Sequence, residues 1–298
     1  MMPDHSSTYV LITPARNEEA FIELTIKSVI SQTIRPVKWV IVSDGSTDRT
    51  DEIVKRYVGA FPWIELIRMP ERTERHFAGK VYSFNAGYER VRDIEYDFLG
   101  NLDADISFDT DYFAFLIEKL VEDPRLGVTG SPFTEDGKTY DYRFASFEHV
   151  SGPCQLFRRA CFEAIGGYIP MKEGGIDLVA VTTARMMGWK TRCFAEKPYA
   201  HHRQTQFGKY VSVRRLYNSG YHDYLMGSSV LWQALRAMRY VFEAPVIAGA
   251  SALLCGYLWA LLSRAKRPVS REFITFRRQE QMYRLREMIV RPMRGACR

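Results

Sequence analysis

Tyr9-Val10-Leu11-Ile12-Thr13-Pro14-Ala15-Arg16-Asn17-Glu18 sets an uncharged, mostly apolar run against a polar cluster. The run predicts a strand over residues 9–13, and the cluster predicts the loop that leaves it. Phe21, Leu24, Ile26, Val29 and Ile30 then recur at helical spacing within residues 18–32. The alternation continues outward, with strands expected at 37–43, 64–68 and 98–102 and helices at 48–58 and 79–91. Strand and helix in turn, joined by short loops, are the pattern of right-handed βαβ units and of an α/β fold with a mainly parallel sheet flanked by helices. Such a sheet holds ligands at the carboxyl ends of its strands. The residues just past three of these strands are polar: Pro14 to Glu18, then Asp44-Gly45-Ser46-Thr47-Asp48, then Asp103-Ala104-Asp105. Three clusters from distant parts of the chain converge on one sheet edge, and that convergence points to a binding site.

The chain has 298 residues, 46% hydrophobic and 26% charged, a globular composition that excludes a disordered or low-complexity protein. Its five cysteines, an odd number with no CxxC pair, fit neither a disulfide framework nor a cysteine zinc site, so a reducing compartment is expected. The opening MMPDHSST has no apolar core of a secretory signal, and the chain is expected to stay where it is made. The net charge of +6 sits in a tail: residues 264–298 hold 11 Lys and Arg against 3 acids, leaving 30 against 32 before them. A nearly neutral body lacks the basic face that phosphate neutralisation needs, which excludes nucleic acid as a partner.

Asp103 and Asp105 leave a buried strand together, pointing to different sides. Two carboxylates there are costly unless cations pair with them, and a divalent metal holding a diphosphate satisfies both; hard oxygen ligands suit Mg²⁺ or Mn²⁺. The alternative is a solvated loop whose acids precede a helix opening at Asp109 or Thr110. Asp44, at a strand end, is placed to accept a hydrogen bond from a base or ribose. A plainer account of that segment has Gly45 making a turn and Ser46, Thr47 or Asp48 capping the next helix.

Taken in order, these segments resemble a family 2 glycosyltransferase with the GT-A fold. Val10 to Glu19 resembles the family's opening strand and PAxNEE loop. Val40 to Asp48 resembles VVDDGSTD, with Ser43 in place of the first Asp. Gly79-Lys80 through Asn85-Ala86-Gly87 resembles GKxxALNxG, and Leu102-Asp103-Ala104-Asp105 resembles LDAD. Gly152 through Arg158-Arg159 to Gly166-Gly167-Tyr168 resembles the glycine loop and RRxxFExIGGF. The likeness covers roughly residues 9–203 and implies a Rossmann-like GT-A domain over 1–206, followed by a C-terminal helical extension over 207–298.

What the resemblance implies about chemistry is inverting transfer of a sugar from a nucleotide-sugar donor, UDP-linked before GDP-linked, to a carbohydrate or glycolipid acceptor in bacterial-type polysaccharide or glycolipid assembly. Pro14, Ala15, Arg16, Glu18 and Asp44 would hold the nucleoside, Lys80 and Asn85 its flank, with Gly152 also in the substrate site. Asp105, assisted by Asp103, would hold the metal. The family's base is an Asp about eleven residues before a Gly-aromatic-Lys ending; Gly188-Trp189-Lys190 is that ending, and the count lands on Asp177. Ile176 replaces the family Glu beside it and Thr183 an Arg often found further on, while Glu173 is a distant second candidate; the plainer role of Asp177 is a helix N-cap. His201-His202-Arg203, after a strand expected at 191–195, resembles the stretch where GT-A enzymes supply a further metal ligand. At most one of two adjacent histidines is such a ligand, and Arg203 is placed for diphosphate oxygens. Aromatic-rich residues 140–150 and 207–224 are candidates for stacking on acceptor sugars, though core packing is the commoner use.

Residues 206–239 read as one amphipathic helical region leading into the uncharged run 244–263. That run is long enough to cross a bilayer, but Pro245, Gly249, Ser251 and Gly256 weaken it. An interfacial or re-entrant helix fits better, placing Arg264, Lys266, Arg267 and later arginines on anionic headgroups at the cytoplasmic face of a membrane; a buried helix or a homo-oligomer contact is the alternative. From another class, the altered surroundings of Asp177 allow a non-catalytic nucleotide-sugar-binding or scaffolding subunit. A nucleotidyltransferase would show a GxGxR loop after the first strand, where this chain has Pro14-Ala15-Arg16-Asn17.

Overall fold

The computed structural model describes residues 7–71, 77–135, 137, 139, 146–203, 212–240 and 246–290. The chain divides into two compact units, Met1–Phe207 and Gly208–Arg298. In the first, β1 (Tyr9–Ala15), α1 (Ile22–Ile30), β2 (Lys38–Asp44), α2 (Thr50–Val58), β3 (Ile64–Met69), α3 (Ala78–Tyr88) and β4 (Phe98–Leu102) follow the expected alternation. Then come β5 (Ile106–Ser107), α4 (Tyr112–Glu122), β6 (Leu126–Gly130), β7 (Phe133–Thr134), β8 (Cys154–Arg158), α5 (Arg159–Ala164), α6 (Ile176–Met186), β9 (Lys190–Cys193) and β10 (Tyr199–His201).

Seven strands form one sheet in the order β3-β2-β1-β4-β8-β6-β9, all parallel to their neighbours except β8, which runs antiparallel to β4 and β6. Alternation along each strand builds the core twice over. Tyr9, Leu11, Trp39 and Ile41 face the layer of α1, α2 and α4 through Ile22, Ile26, Val54 and Leu116. Val10, Ile12, Val40 and Val42 face α3, α5 and α6 through Val81, Phe84, Phe162 and Val181. Each such apolar side chain contributes about 1.5–3 kcal/mol on burial. Register aligns the strand ends: Ala15 pairs with Ser43, and Ile12 with Asn101. The loops after β1, β2 and β4 therefore leave the sheet at one edge. A smaller sheet, β5-β10-β7, holds the chain just after Asp105 in β5 and carries His201 as the last residue of β10.

Several boundaries differ from expectation for local reasons. α1 starts at Ile22 rather than Glu18, because Asn17 takes a left-handed φ of 55° and the Glu18 N–H is held by Thr50 Oγ1 at 2.7 Å. α4 opens at Tyr112 with Asp111 as its flanking residue, not at Asp109 or Thr110. The helix expected over 206–239 is two among the described residues, α7 (Val213–Leu225) and α8 (Val230–Arg239). Gly227, at φ +79°, turns the chain between them, and Ser229 caps α8 by accepting from the Trp232 N–H at 3.2 Å. Residues 140–145 and 204–211, part of the aromatic-rich stretches, lie outside the described residues.

The second unit adds α9 (Val246–Leu262) and α10 (Arg271–Val290). Among the described residues no helix is long and apolar enough to cross a membrane. Three arginines expected at headgroups are turned inward instead. Arg267 lies 4.1 Å over the Tyr224 ring and donates to the Tyr224 carbonyl, Arg278 donates to the Gly227 carbonyl, and Arg277 to Ser228 Oγ. They tie α10 and the loop before it to the α7–α8 turn.

Candidate active site

The aligned strand ends open a cleft of about 530 Å³ lined by Pro14, Ala15, Arg16, Glu18, Asp44, Lys80, Ser83, Asp103 and Asp105, with Phe77 and Lys172 at its rim. β1 delivers Pro14 to Arg16. β2 delivers Asp44, whose carboxylate is buried with the Arg16 guanidinium 3.9 Å away. Gly45, at φ +64°, turns the chain so closely past Glu71 that a Cβ there would lie 2.6 Å from its Cα.

The loop after β4 carries the two acids. Lys80, on α3, is paired with Asp103 by a short contact between Nζ and Oδ1. Burial pushes the Asp103 carboxyl upward, with Lys80 pulling the other way and Asp105 adding to the rise. Arg203 reaches in from beyond β10, placing Nε 3.3 Å from Asp105 Oδ2 and Nη2 2.5 Å from Glu18 Oε2. Burial and the charge of Asp105 push Glu18 up to about 7 against the pull of Arg203.

The two histidines part ways. His201 is buried on β10, with Nε2 3.6 Å from Asp105 Oδ1 and Nδ1 3.1 Å from Glu135 Oε1. His202 places Nε2 2.9 Å from Ser107 Oγ and stacks on Phe21, and burial lowers its ring below the usual histidine value. Its own N–H donates to the Asp105 carbonyl at 2.8 Å.

A second cleft of about 290 Å³ shares Phe77, Lys80 and Asp103 with the first and is lined beyond them by Gly152, Gln155, Tyr168, Ile176 and Asp177. Gly174 and Gly175, at φ +88° and +82°, swing the chain into α6, so Asp177 falls in that helix's first turn. It is not the N-cap; Gly175 holds that position. The Gly152 N–H donates to Asp177 Oδ2 at 3.1 Å, and the Gly152 carbonyl accepts from Asn101 Nδ2.

Asn85 is exposed on α3 and lines neither cleft. Five residues past Lys80 it stands roughly 140° around the helix, whereas Ser83, three residues on, shares the face of Lys80 and meets the cleft. Glu173 is likewise exposed and outside both. Sequence reasoning missed Phe77, Lys172 and Glu135. Phe77 stands just before the Gly79-Lys80 signature and was within reach; Glu135 belongs to no motif.

The family model for glycosyl transferase family 2 matches residues 10–176. The chain belongs to that family. It is 26% identical over 202 residues to poly-beta-1,6-N-acetyl-D-glucosamine synthase of Staphylococcus epidermidis, covering 60% of this chain and 44% of that protein, and 29% identical over 136 residues to the Staphylococcus aureus synthase. The chain thus spans less than half the length of these curated relatives. Among solved structures it is similar to the mannosyltransferase PcManGT of Pyrobaculum calidifontis, in complex with GDP-Man and Mn²⁺, with a TM-score of 0.57 at 18% identity over 97% of this chain and 82% of that one. It is also similar to S. aureus TarS 1-349 in complex with UDP-GlcNAc, at 0.55 and 16% over 90% of this chain and 79% of that one. The family 2 chain has the GT-A fold, and its mainly parallel sheet is the one described above. Among the described residues no group of three or more His, Cys, Asp or Glu is closed up as a metal cage.

Proposed function

We propose that this family 2 chain is an inverting, metal-dependent glycosyltransferase that moves a sugar from a nucleoside diphosphate donor, UDP before GDP, to an acceptor hydroxyl in polysaccharide or glycolipid assembly. The observation that carries this is the pair of joined clefts: one lined by Asp44, Lys80, Asp103 and Asp105, the other by Asp177, with Lys80 and Asp103 common to both. A donor diphosphate in the first and an acceptor in the second would meet at that shared wall. The UDP-GlcNAc bound to TarS favours uridine as the base.

The residues suit a divalent cation. Asp103 and Asp105 offer hard oxygens at one loop, and His201 keeps Nδ1 buried without an aligned hydrogen bond, 3.1 Å from Glu135. Mg²⁺ or Mn²⁺ bound there would offset charge on the departing diphosphate. The chain's own residues do the rest. Arg16 and Asp44 flank the nucleoside end. Lys80 and Arg203 bring positive charge to the phosphates, as preorganised donors at the point where charge develops. Asp177, with Oδ2 held by the Gly152 N–H, takes the acceptor proton on its other oxygen as the hydroxyl attacks from the face opposite the leaving group.

Calorimetric titration with UDP and with GDP, each with Mn²⁺ and with EDTA, tests the donor class. Metal-dependent binding of one nucleotide, lost in Asp105→Ala, is the expected result. Binding of neither turns the reading toward a scaffolding subunit.

The second unit supports contact with an anionic membrane surface. Val230, Leu231, Leu235 and Met238 form the exposed face of α8, Ile247, Leu258, Trp259 and Leu262 that of α9, and exposed Arg264 and Lys266 follow directly. Apolar side chains at the acyl boundary with cations on the headgroups are the make-up of an interfacial helix. Sedimentation with vesicles containing phosphatidylglycerol, but not with pure phosphatidylcholine, is expected, and Trp259→Glu with Leu262→Glu should abolish it. Equal loss of dimer instead would make this face a contact between copies.

A further inference from the structure

We propose that Glu135 is a positioning residue of the cation site, holding His201 by Nδ1 so that Nε2 is offered beside Asp105, and that His201 rather than His202 is the nitrogen donor. This rests on the metal-dependent reading above. The small sheet assembles the set: Asp105 precedes β5, His201 ends β10, and Glu135 follows β7, so two ladders pin all three backbones together. Glu135 is 2% exposed and His201 8%, and the Phe133 ring packs 5.2 Å from the imidazole. The buried Nδ1 of His201 has no aligned hydrogen bond, and the nearest carboxylate oxygen to it in an ion-pair geometry is Glu135 Oε1.

The Nε2 of His201 and the Oδ1 of Asp105 are 3.6 Å apart. Two atoms bound side by side to an octahedral cation at about 2.1 Å lie roughly 3 Å apart, so a small ring movement brings both to one ion. On the other side of the ring, Glu135 Oε1 lies 3.1 Å from Nδ1, within hydrogen-bond distance of an Nδ1–H. A neutral imidazole has one N–H and one lone pair; giving the N–H to Glu135 leaves the lone pair on Nε2, fixes the tautomer and raises its basicity. His202 has its Nε2 engaged by Ser107 Oγ and its ring stacked on Phe21, which leaves only Nδ1 to offer and no carboxylate partner among the described residues to fix its tautomer.

The test is Mn²⁺ affinity of the full chain with UDP present, by calorimetry, with electron spin echo modulation to detect a coordinated nitrogen. Glu135→Gln is expected to weaken Mn²⁺ by about 10- to 100-fold. His201→Ala should lose at least as much together with the nitrogen modulation. His202→Ala should keep the modulation and stay within about threefold of wild type, a margin well below that second-shell loss. Glu135→Asp, which keeps the carboxylate, should recover part of the affinity and guards against a folding defect in Glu135→Gln; metal-free melting curves check both. Mn²⁺ uptake that Asp105→Asn abolishes and Glu135→Gln leaves intact overturns the role of Glu135 alone. Nitrogen modulation lost with His202 and kept without His201 overturns the assignment of the donor. No uptake by the wild type overturns the underlying reading as well.

Discussion

The Gly152 N–H donates to Asp177 Oδ2 at 3.1 Å, and a Cβ on Gly152 would lie 3.2 Å from the Cβ of Asp177. One backbone position thus both orients the carboxylate and limits how close it stands. Gly152→Ala should shift Asp177 by a few tenths of an ångström and lower kcat by about 10- to 100-fold while leaving UDP affinity within error, because small misplacement of a reacting group is costly. Asp177→Asn should abolish transfer with donor binding spared. Steady-state kinetics beside calorimetry separates the two effects, and unchanged turnover in Asp177→Asn would remove it from the mechanism.

Lys80 opposes the burial that raises the Asp103 carboxyl. Replacing it with Met takes away the cation and raises that carboxyl further. Cation-dependent UDP binding needs Asp103 ionised, so the loss of binding on acidification should begin at a higher pH in Lys80→Met than in wild type, on top of a uniform loss of affinity from the missing phosphate contact. A pH series of dissociation constants shows this directly. Parallel curves would mean that Asp103 is not titrating in the site.

Glu18 predicts a pH dependence of stability. Its carboxyl lies at about 7 in the folded chain against an ordinary 4.5, chiefly through burial. A carboxyl raised by folding takes up a proton on folding, so its contribution is full below about 4.5 and is lost as pH rises through about 7. Glu18→Gln removes that loss. The variant should be more stable than wild type at about pH 8 by up to about 3 kcal/mol, a figure in which the pull of Arg203 is already included, and the difference should shrink toward about pH 5. Melting curves at the two pH values suffice, and a difference that grows on acidification would reverse the assignment.

The central strands could be read from the chain because each is an unbroken buried run bounded by polar loops, and the five expected strands lie within two residues of β1 to β4 and β9. The clustering of Pro14, Asp44, Asp103 and Asp105 followed from that alternation alone. Pairing could not be read the same way: nothing in the periodicity of residues 154–158 says that β8 enters antiparallel between β4 and β6. Strands as short as β5, β7 and β10 carry too few residues for a period. Glu135 was therefore invisible, since only that small sheet brings it to His201. The helix face of α3 was misjudged for another reason. A motif match placed Asn85, while the 100° step per residue gives the cleft to Ser83.

In the second unit, Gly220 of α7 and Gly256 of α9 face each other's helix. A Cβ on Gly220 would overlap the Leu253 carbonyl, and one on Gly256 the Tyr217 carbonyl. Each helix thus approaches the other's backbone where a side chain is missing, and Leu216, Ala250 and Leu253 close around the crossing. Backbone cannot move aside as a flexible side chain does, so even a methyl group forces the helices apart and opens the apolar seam. Gly220→Ala and Gly256→Ala should each cost about 1–3 kcal/mol, the range for overpacking. Because the two sites share one crossing, the double variant should cost less than the sum of the singles: helices already parted by the first methyl have room for the second. Urea denaturation followed by circular dichroism measures all three, and neutral single variants would show that the crossing is looser than the backbone contacts require.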